Sequence, residues 1–350
     1  MIQTLERQDV EIEISPEPIY QLALGFAATK TLLVAQRLGF FASLAVSPKT
    51  AAQISEEHSL PLRTTAMLLD TCVSLKLCEK AGETYSNSAV SQRYLVPGVR
   101  GYLGRFLDHF NNLMYPTWSH LEEAVKTGHA QILKVVGENN DNFFQAIDRQ
   151  LEHLKTFMET MEEHSLLEGE ALARTYDFSG HHQMVDVGGG TGAMSVAILE
   201  RYLELKSIVF DRAPVCEIAD RSIAQHGLSA RIQTKAGDFF KDPIPASGDV
   251  ILLSAILHNW SPSNAKDILR QCHKALAPGK TLLISEQVLN AEKTEPSLAT
   301  LCSLNMLVML EGAQEYSSAE FEAMLEETGF HLEEIRSTGG FRQLLIARRR

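Results

Sequence analysis

The stretch Val185-Asp186-Val187-Gly188-Gly189-Gly190-Thr191-Gly192 sits where a run of apolar, strand-forming residues hands over to a helical pattern. Glycine suits such a junction because the backbone must turn tightly and let a ligand come close. Asp186, Gly188 and Gly190 are therefore candidate cofactor residues. Asp211 ends the next strand about 20 residues on, where a ribose-binding acid belongs. The loop alone is ambiguous, since Gly188, Gly190 and Ala193 also satisfy the G-x-G-x-x-G/A spacing of nicotinamide-binding enzymes. Gly237-Asp238-Phe239-Phe240 follows the third strand, where Asp238 could hold an adenine amino group and Phe239 stack on its ring. The same pair also reads as a turn acid beside a core aromatic. His258 follows the fourth strand, at the carboxyl end of the sheet, where open α/β sheets bind their ligands.

The elements that must position these residues follow two rhythms. From Tyr20 to about Asp177 apolar residues recur at helical spacing almost throughout. After Met184, short runs of Val, Ile and Leu alternate with helical segments, the signature of β-α-β units around a parallel sheet. Strands are expected at Met184–Val187, Ser207–Asp211, Ile232–Ala236, Val250–Ser254 and Thr281–Ser285, with helices from Ala193, Pro214, Ser263 and about Ser297. Ser317-Ser318-Ala319-Glu320 is a capping box opening one more helix to about Thr328. Strands near His331–Arg336 and Gln343–Ala347, joined through Gly339-Gly340, should form an antiparallel hairpin at the sheet edge. Within the first region, Thr50 to Ser88 reads as helix, turn, helix and β-hairpin, a winged-helix outline.

Charge and composition narrow the partners. The net charge is -12, and the only dense basic run is Arg348-Arg349-Arg350, which argues against nucleic acid. The second winged-helix helix offers mainly Arg63 and Lys76, with Asp70 between them, so dimerisation suits this unit better than groove reading. The 5 cysteines are scattered and form no C-x-x-C pair, which points to a reducing compartment without disulfides or structural zinc. No signal peptide is evident, and no apolar stretch reaches the roughly 18 residues of a membrane span. A cytoplasmic protein without membrane contact is expected. The 12 histidines include no H-E-x-x-H pattern, no acid cluster follows the fourth strand, and no metal is expected. His181-His182 precedes the first strand, on the wrong end of the sheet, and should face solvent.

Taken together, several strings resemble one family. They are Asp177-Phe178-Ser179, the glycine loop, Gly237-Asp238-Phe239, Ile256-Leu257-His258-Asn259-Trp260, Pro278-Gly279-Lys280 and Glu315-Tyr316-Ser317. The family is that of the class I small-molecule O-methyltransferases, which includes plant caffeate, hydroxyindole and bacterial polyketide enzymes. The likeness runs from about Leu22 to Ala347. It implies a Rossmann-like seven-stranded methyltransferase sheet with an N-terminal, mainly helical winged-helix dimerisation domain. The expected divisions are 1–100 for dimerisation, 101–177 for a helical linker lining the substrate pocket, and 178–350 for catalysis. The implied cofactor is S-adenosylmethionine (SAM), leaving as S-adenosylhomocysteine (SAH), at Asp186, Gly188, Gly190, Asp211, Asp238, Phe239 and Ser254.

By the same resemblance His258 is the general base, oriented by Glu286 and Glu315. A base near pKa 6.5 helps because a phenol near pKa 10 is mostly protonated at neutral pH. Asn259 stands where plant members carry Asp, Ser254 where they carry Lys, and Ser303 where bacterial members often have Asp. Some relatives use histidine-held iron to methylate carbon; no second His stands near Asn305 here. The aromatic and methionine-rich stretch from Phe106 to Met161 reads as core by spacing, whereas the family places it over the active site. Phe157, Met158, Met161, Asn259, Met306 and Met309 are the implied contacts to a small, planar aromatic acceptor. Leu22 to Leu44 would join two chains in a homodimer. Other outcomes are C- or N-methylation on this fold, a winged-helix DNA-binding regulator, or an NAD-dependent dehydrogenase.

Overall fold

The computed structural model describes residues 14–137, 143–148 and 151–350. The chain divides into two units, Met1–Gly98 and Val99–Arg350, so the segment 101–177 belongs to the second.

In the first unit Thr50 and Gln53 cap the helix Ala51–Glu57 reciprocally, each side chain accepting the other's backbone N–H. The helix Leu62–Ser74 follows, with Pro61 as its N-cap. Strands β1 (Lys49–Thr50), β2 (Cys78–Ala81) and β3 (Thr84–Asn87) make an antiparallel sheet in the order β1-β3-β2. β1 is too short to leave a periodic signal. Asp70 accepts from Lys80 and from the Tyr85 hydroxyl, so the second helix is tied to the wing. Ahead of this module, Glu17–Arg37 exposes Ile19, Leu22, Leu24 and Phe26. It is 21 residues long and apolar enough to cross a membrane by length and composition, contrary to expectation. Apolar surface of this extent requires a cover.

In the second unit the expected strands form β4 (Gln183–Val187), β5 (Lys206–Asp211), β6 (Ile232–Ala236), β7 (Val250–Ser254) and β8 (Thr281–Glu286). Two short strands follow, β9 (Val288–Leu289) and β10 (Tyr316–Ser317), and then β11 (Phe330–Ser337) and β12 (Gln343–Arg349). The 7-stranded sheet has the order β11-β12-β8-β7-β4-β5-β6. β4 to β8 are parallel, while β12 is antiparallel to both neighbours. The C-terminal hairpin therefore forms, but β12 is inserted against β8 and only β11 lies at the edge.

Both faces of the sheet are covered, so its central strands are apolar on both sides rather than alternating with polar residues. Val185, Val187, Ile251, Leu253, Leu282 and Ile284 enter one core cluster. Met184, Val250, Leu252 and Leu283 enter the other. The 25-residue helix Leu151–Thr175 packs on the helix Ala193–Arg201 that leaves the glycine loop. At their crossing a Cβ on Gly169 would lie 2.8 Å from Ala197 Cβ. Glycine there lets the long helix come close enough to carry its side chains over the carboxyl edge of the sheet.

Candidate active site

The glycine loop is built for approach. Gly188 and Gly190 have φ of +70° and +58°, a region unfavourable to other residues. A Cβ on Gly188 would also fall 2.4 Å from Ile256 Cδ1, whereas Gly190 faces open space with Met158 Sδ at 4.0 Å. Asp186 supports the loop from behind, accepting the Ser195 hydroxyl at 2.7 Å. Burial raises its carboxyl to about 6. Asp211 accepts the Gly190 N–H at 2.9 Å and the Arg212 N–H at 2.7 Å. Burial pushes its carboxyl up against the opposing pull of Arg212. Asp238 accepts from the Phe240 N–H at 2.9 Å and pairs with Lys241 at 2.8 Å. Burial pushes it upward, but Lys241 and the backbone donor outweigh that and hold it below the usual carboxylate range. It therefore has a turn acid's bonds, yet still lines the cavity described below. Phe239 stands edge-on to Trp260, with centroids 6.0 Å apart.

His258 rides on a turn whose geometry the sequence did not announce. Ala255, at φ +53°, breaks β7 in the left-handed region and sends the chain into the short turn Leu257–Asn259. Glu286 stabilises that turn, its Oε1 accepting the N–H groups of Ile256 and Leu257 at 2.8 Å each. Asn259 donates to the Ala255 carbonyl at 2.8 Å. The Gln314 N–H donates to the His258 carbonyl, and the Tyr316 hydroxyl to that of Trp260. Parallel pairing of Tyr316 with Val288 in β9 and β10 carries Glu315 to the end of β8. There Ser303 accepts the Glu315 N–H.

The result is an imidazole between two buried carboxylates. His258 Nδ1 lies 2.9 Å from Glu315 Oε1 and 3.5 Å from Glu286 Oε2. Burial alone would push the imidazole down, but the charges of Glu286 and Glu315 and the Glu315 hydrogen bond lift it to about 9. Glu286 is raised by its own burial, opposed by His258. The three groups lie within 4.8 Å of one another, so a metal ion also suits the donor types. Glu286 Oε1 already serves two backbone donors, and a protonated His258 supplies the positive charge that buried acids demand.

A cavity of about 520 Å³ brings these pieces together. Every candidate residue named from the sequence lines it except Glu286, which stands behind His258. Phe157, Met158, Met161, Met306 and Met309 are all on its lining. Ser254 is already engaged, accepting from Arg342 at 2.8 Å. Sequence reasoning missed His109, His164, Arg212, Gln287 and Arg342 on this lining. Of these, only Arg212 carried a signal, as the neighbour of Asp211. His164 stacks on Phe106 at 4.9 Å. Burial drives His109 down to about 4 and His164, with help from Arg342, to about 3. His181 is not solvent-facing as expected: it binds the Tyr176 hydroxyl and lies 3.4 Å from Asp249. The open cradle at Gly190, two carboxylates and an aromatic ring fit an adenosyl cofactor on the loop side.

Comparison with known proteins shows the fold and the family. Residues 118–331 match the O-methyltransferase domain family, and residues 20–97 match the O-methyltransferase dimerisation domain. The chain is 36% identical to 3-hydroxy-5-methyl-1-naphthoate 3-O-methyltransferase of Streptomyces sahachiroi, covering 90% of this chain and 89% of that one. It is 34% identical to acetylserotonin O-methyltransferase of Bos taurus, over 94% and 96% of the two chains. The crystal structure of human N-acetylserotonin methyltransferase in complex with SAM superposes with a TM-score of 0.87 at 29% identity, over 97% and 99% of the chains. None of these relatives is a dehydrogenase or a DNA-binding regulator. The chain belongs to the SAM-dependent O-methyltransferase family.

Proposed function

We propose that this enzyme methylates a hydroxyl of a small, planar aromatic acceptor, with His258 as general base. The observation that carries this is His258 held between Glu286 and Glu315 on the wall of the cavity that also holds the glycine loop. Bound SAM supplies an electrophilic methyl group, and the chain's own task is to place the acceptor oxygen and take its proton. With Nδ1 committed to Glu315, Nε2 is the ring atom that receives the proton. The two glutamates stabilise the imidazolium that results. A ring raised to about 9 takes a proton from a phenol near 10 at little energetic cost once its own proton has left. The methionine and phenylalanine wall suits a flat ring, and the naphthoate and acetylserotonin enzymes support an aromatic acceptor.

Calorimetric titration tests the cofactor half: SAH gives heat and NAD gives none. Heat from NAD alone would replace this function with a dehydrogenase. The apolar face of Glu17–Arg37 is covered by a second copy of the chain, consistent with the matched dimerisation domain. Light scattering at micromolar concentration is expected to show a homodimer, and a monomer would contradict that assignment. The unpaired cysteines suit a reducing, cytoplasmic setting.

A further inference from the structure

Arg342 is a cation in the cavity that the methyl-transfer chemistry does not use. Among the described residues, three Lys or Arg side chains line the cavity: Arg212, Lys241 and Arg342. Arg212 pairs with Asp148 and Asp211, and Lys241 pairs with Asp238. Among the described residues, Arg342 has no carboxylate within ion-pair distance, and its guanidinium makes one hydrogen bond, to Ser254 Oγ. A guanidinium offers five N–H donors in a fork that matches a carboxylate. A half-buried Arg with one neutral partner therefore has most of its donors unspent.

Its position says which part of the cavity it serves. Gln343, the next residue, pairs with Glu286 at the carboxyl end of β8. From there the Arg342 side chain reaches across to Ser254 at the end of β7. Its charge acts on His258, Glu286, His164 and Cys302. The largest charges acting on Asp211 and Asp238 come from Arg212, Asp148 and Lys241. Arg342 thus stands beside the base. Its neighbour Phe341 packs edge-on against His164, extending the aromatic wall.

We propose that Arg342 is a specificity residue that binds a carboxylate carried by the aromatic acceptor. This rests on the planar-acceptor function above and adds the anionic substituent to it. The other carboxylate available is that of the cofactor's amino-acid end, and the test separates the two. The full-length protein saturated with SAH is titrated with 3-hydroxy-1-naphthoate and with 2-naphthol, which differ only in the carboxylate. Wild type is expected to bind the naphthoate about tenfold tighter. Arg342→Gln should abolish that preference with SAH affinity within about twofold of wild type, and Arg342→Lys should keep part of it. Intact SAH binding shows that the variants are folded.

Equal binding of the two rings by wild type, or a preference that survives in Arg342→Gln, would overturn the proposal while leaving the planar acceptor intact. A loss of SAH affinity in Arg342→Gln with the preference retained would assign Arg342 to the cofactor instead. A shifted pH profile with the preference retained would assign it to tuning His258. If neither ring binds, the planar-acceptor function falls and this inference with it.

Discussion

Replacing His258 with alanine or glutamine is expected to cut turnover by about 10²–10⁴-fold while SAH affinity stays within about twofold of wild type. The expectation follows from how the ring is held. Glu315 fixes Nδ1 at 2.9 Å, and the turn carrying His258 is pinned by Glu286, Asn259, Gln314 and Tyr316. The other cavity histidines cannot stand in. His109 and His164 are pushed down to about 4 and about 3, which makes them poor proton acceptors for a phenol. Glutamine retains polarity and bulk, so its loss reports on the base rather than on packing. Steady-state kinetics beside SAH calorimetry makes the measurement. Turnover within about tenfold of wild type in both variants would withdraw His258 from the base role.

The second large effect is on pH. The reactive form is the neutral imidazole, and the glutamates hold His258 protonated up to about 9. As pH rises through that value the proton leaves, so kcat/KM is expected to climb toward an apparent pKa near 9. The value belongs to the three-group cluster rather than to the ring alone. Glu315→Gln removes one charge and is expected to bring the limb down toward the ordinary histidine value of about 6.5. Glu286→Gln should move it the same way and also loosen the turn, since Glu286 accepts two of its backbone donors.

The same shift has a stability side. A histidine raised from 6.5 to about 9 adds stability that is fully present below 6.5 and is lost as pH rises through 9. Wild-type Tm should therefore fall more across that window than Tm of His258→Gln. A wild-type limb already near 6.5, unmoved by Glu315→Gln, would contradict the cluster.

The parts of the site near breaks in a local pattern were legible in the sequence. The glycine loop follows a buried strand, Asp211 ends the next, and His258 follows the fourth, so position along the sheet could be read from spacing. Ser317 and Glu320 announced their helix because a capping box is local. Glu315 needed more: its approach to His258 depends on the pairing of two-residue strands, which are too short for periodicity. The turn at Ala255 was illegible because alanine rarely takes a positive φ, and it is held by the Ile256 and Leu257 N–H groups donating to the carboxylate of a distant glutamate, Glu286. Arg342 was hidden for a similar reason. It stands at the mouth of a strand inserted late against β8, and only the folded sheet sets it opposite Ser254. Ser254, read as a cofactor contact, is accordingly engaged by that arginine.

The most direct measurement is a single turnover of enzyme, methyl-labelled SAM and 3-hydroxy-1-naphthoate, with the labelled atom in the product located by NMR. Wild type should place the label on oxygen, and His258→Gln should transfer it at least about a hundredfold more slowly while binding SAH as wild type does. A label on carbon, or an undiminished single-turnover rate in His258→Gln, would contradict the account.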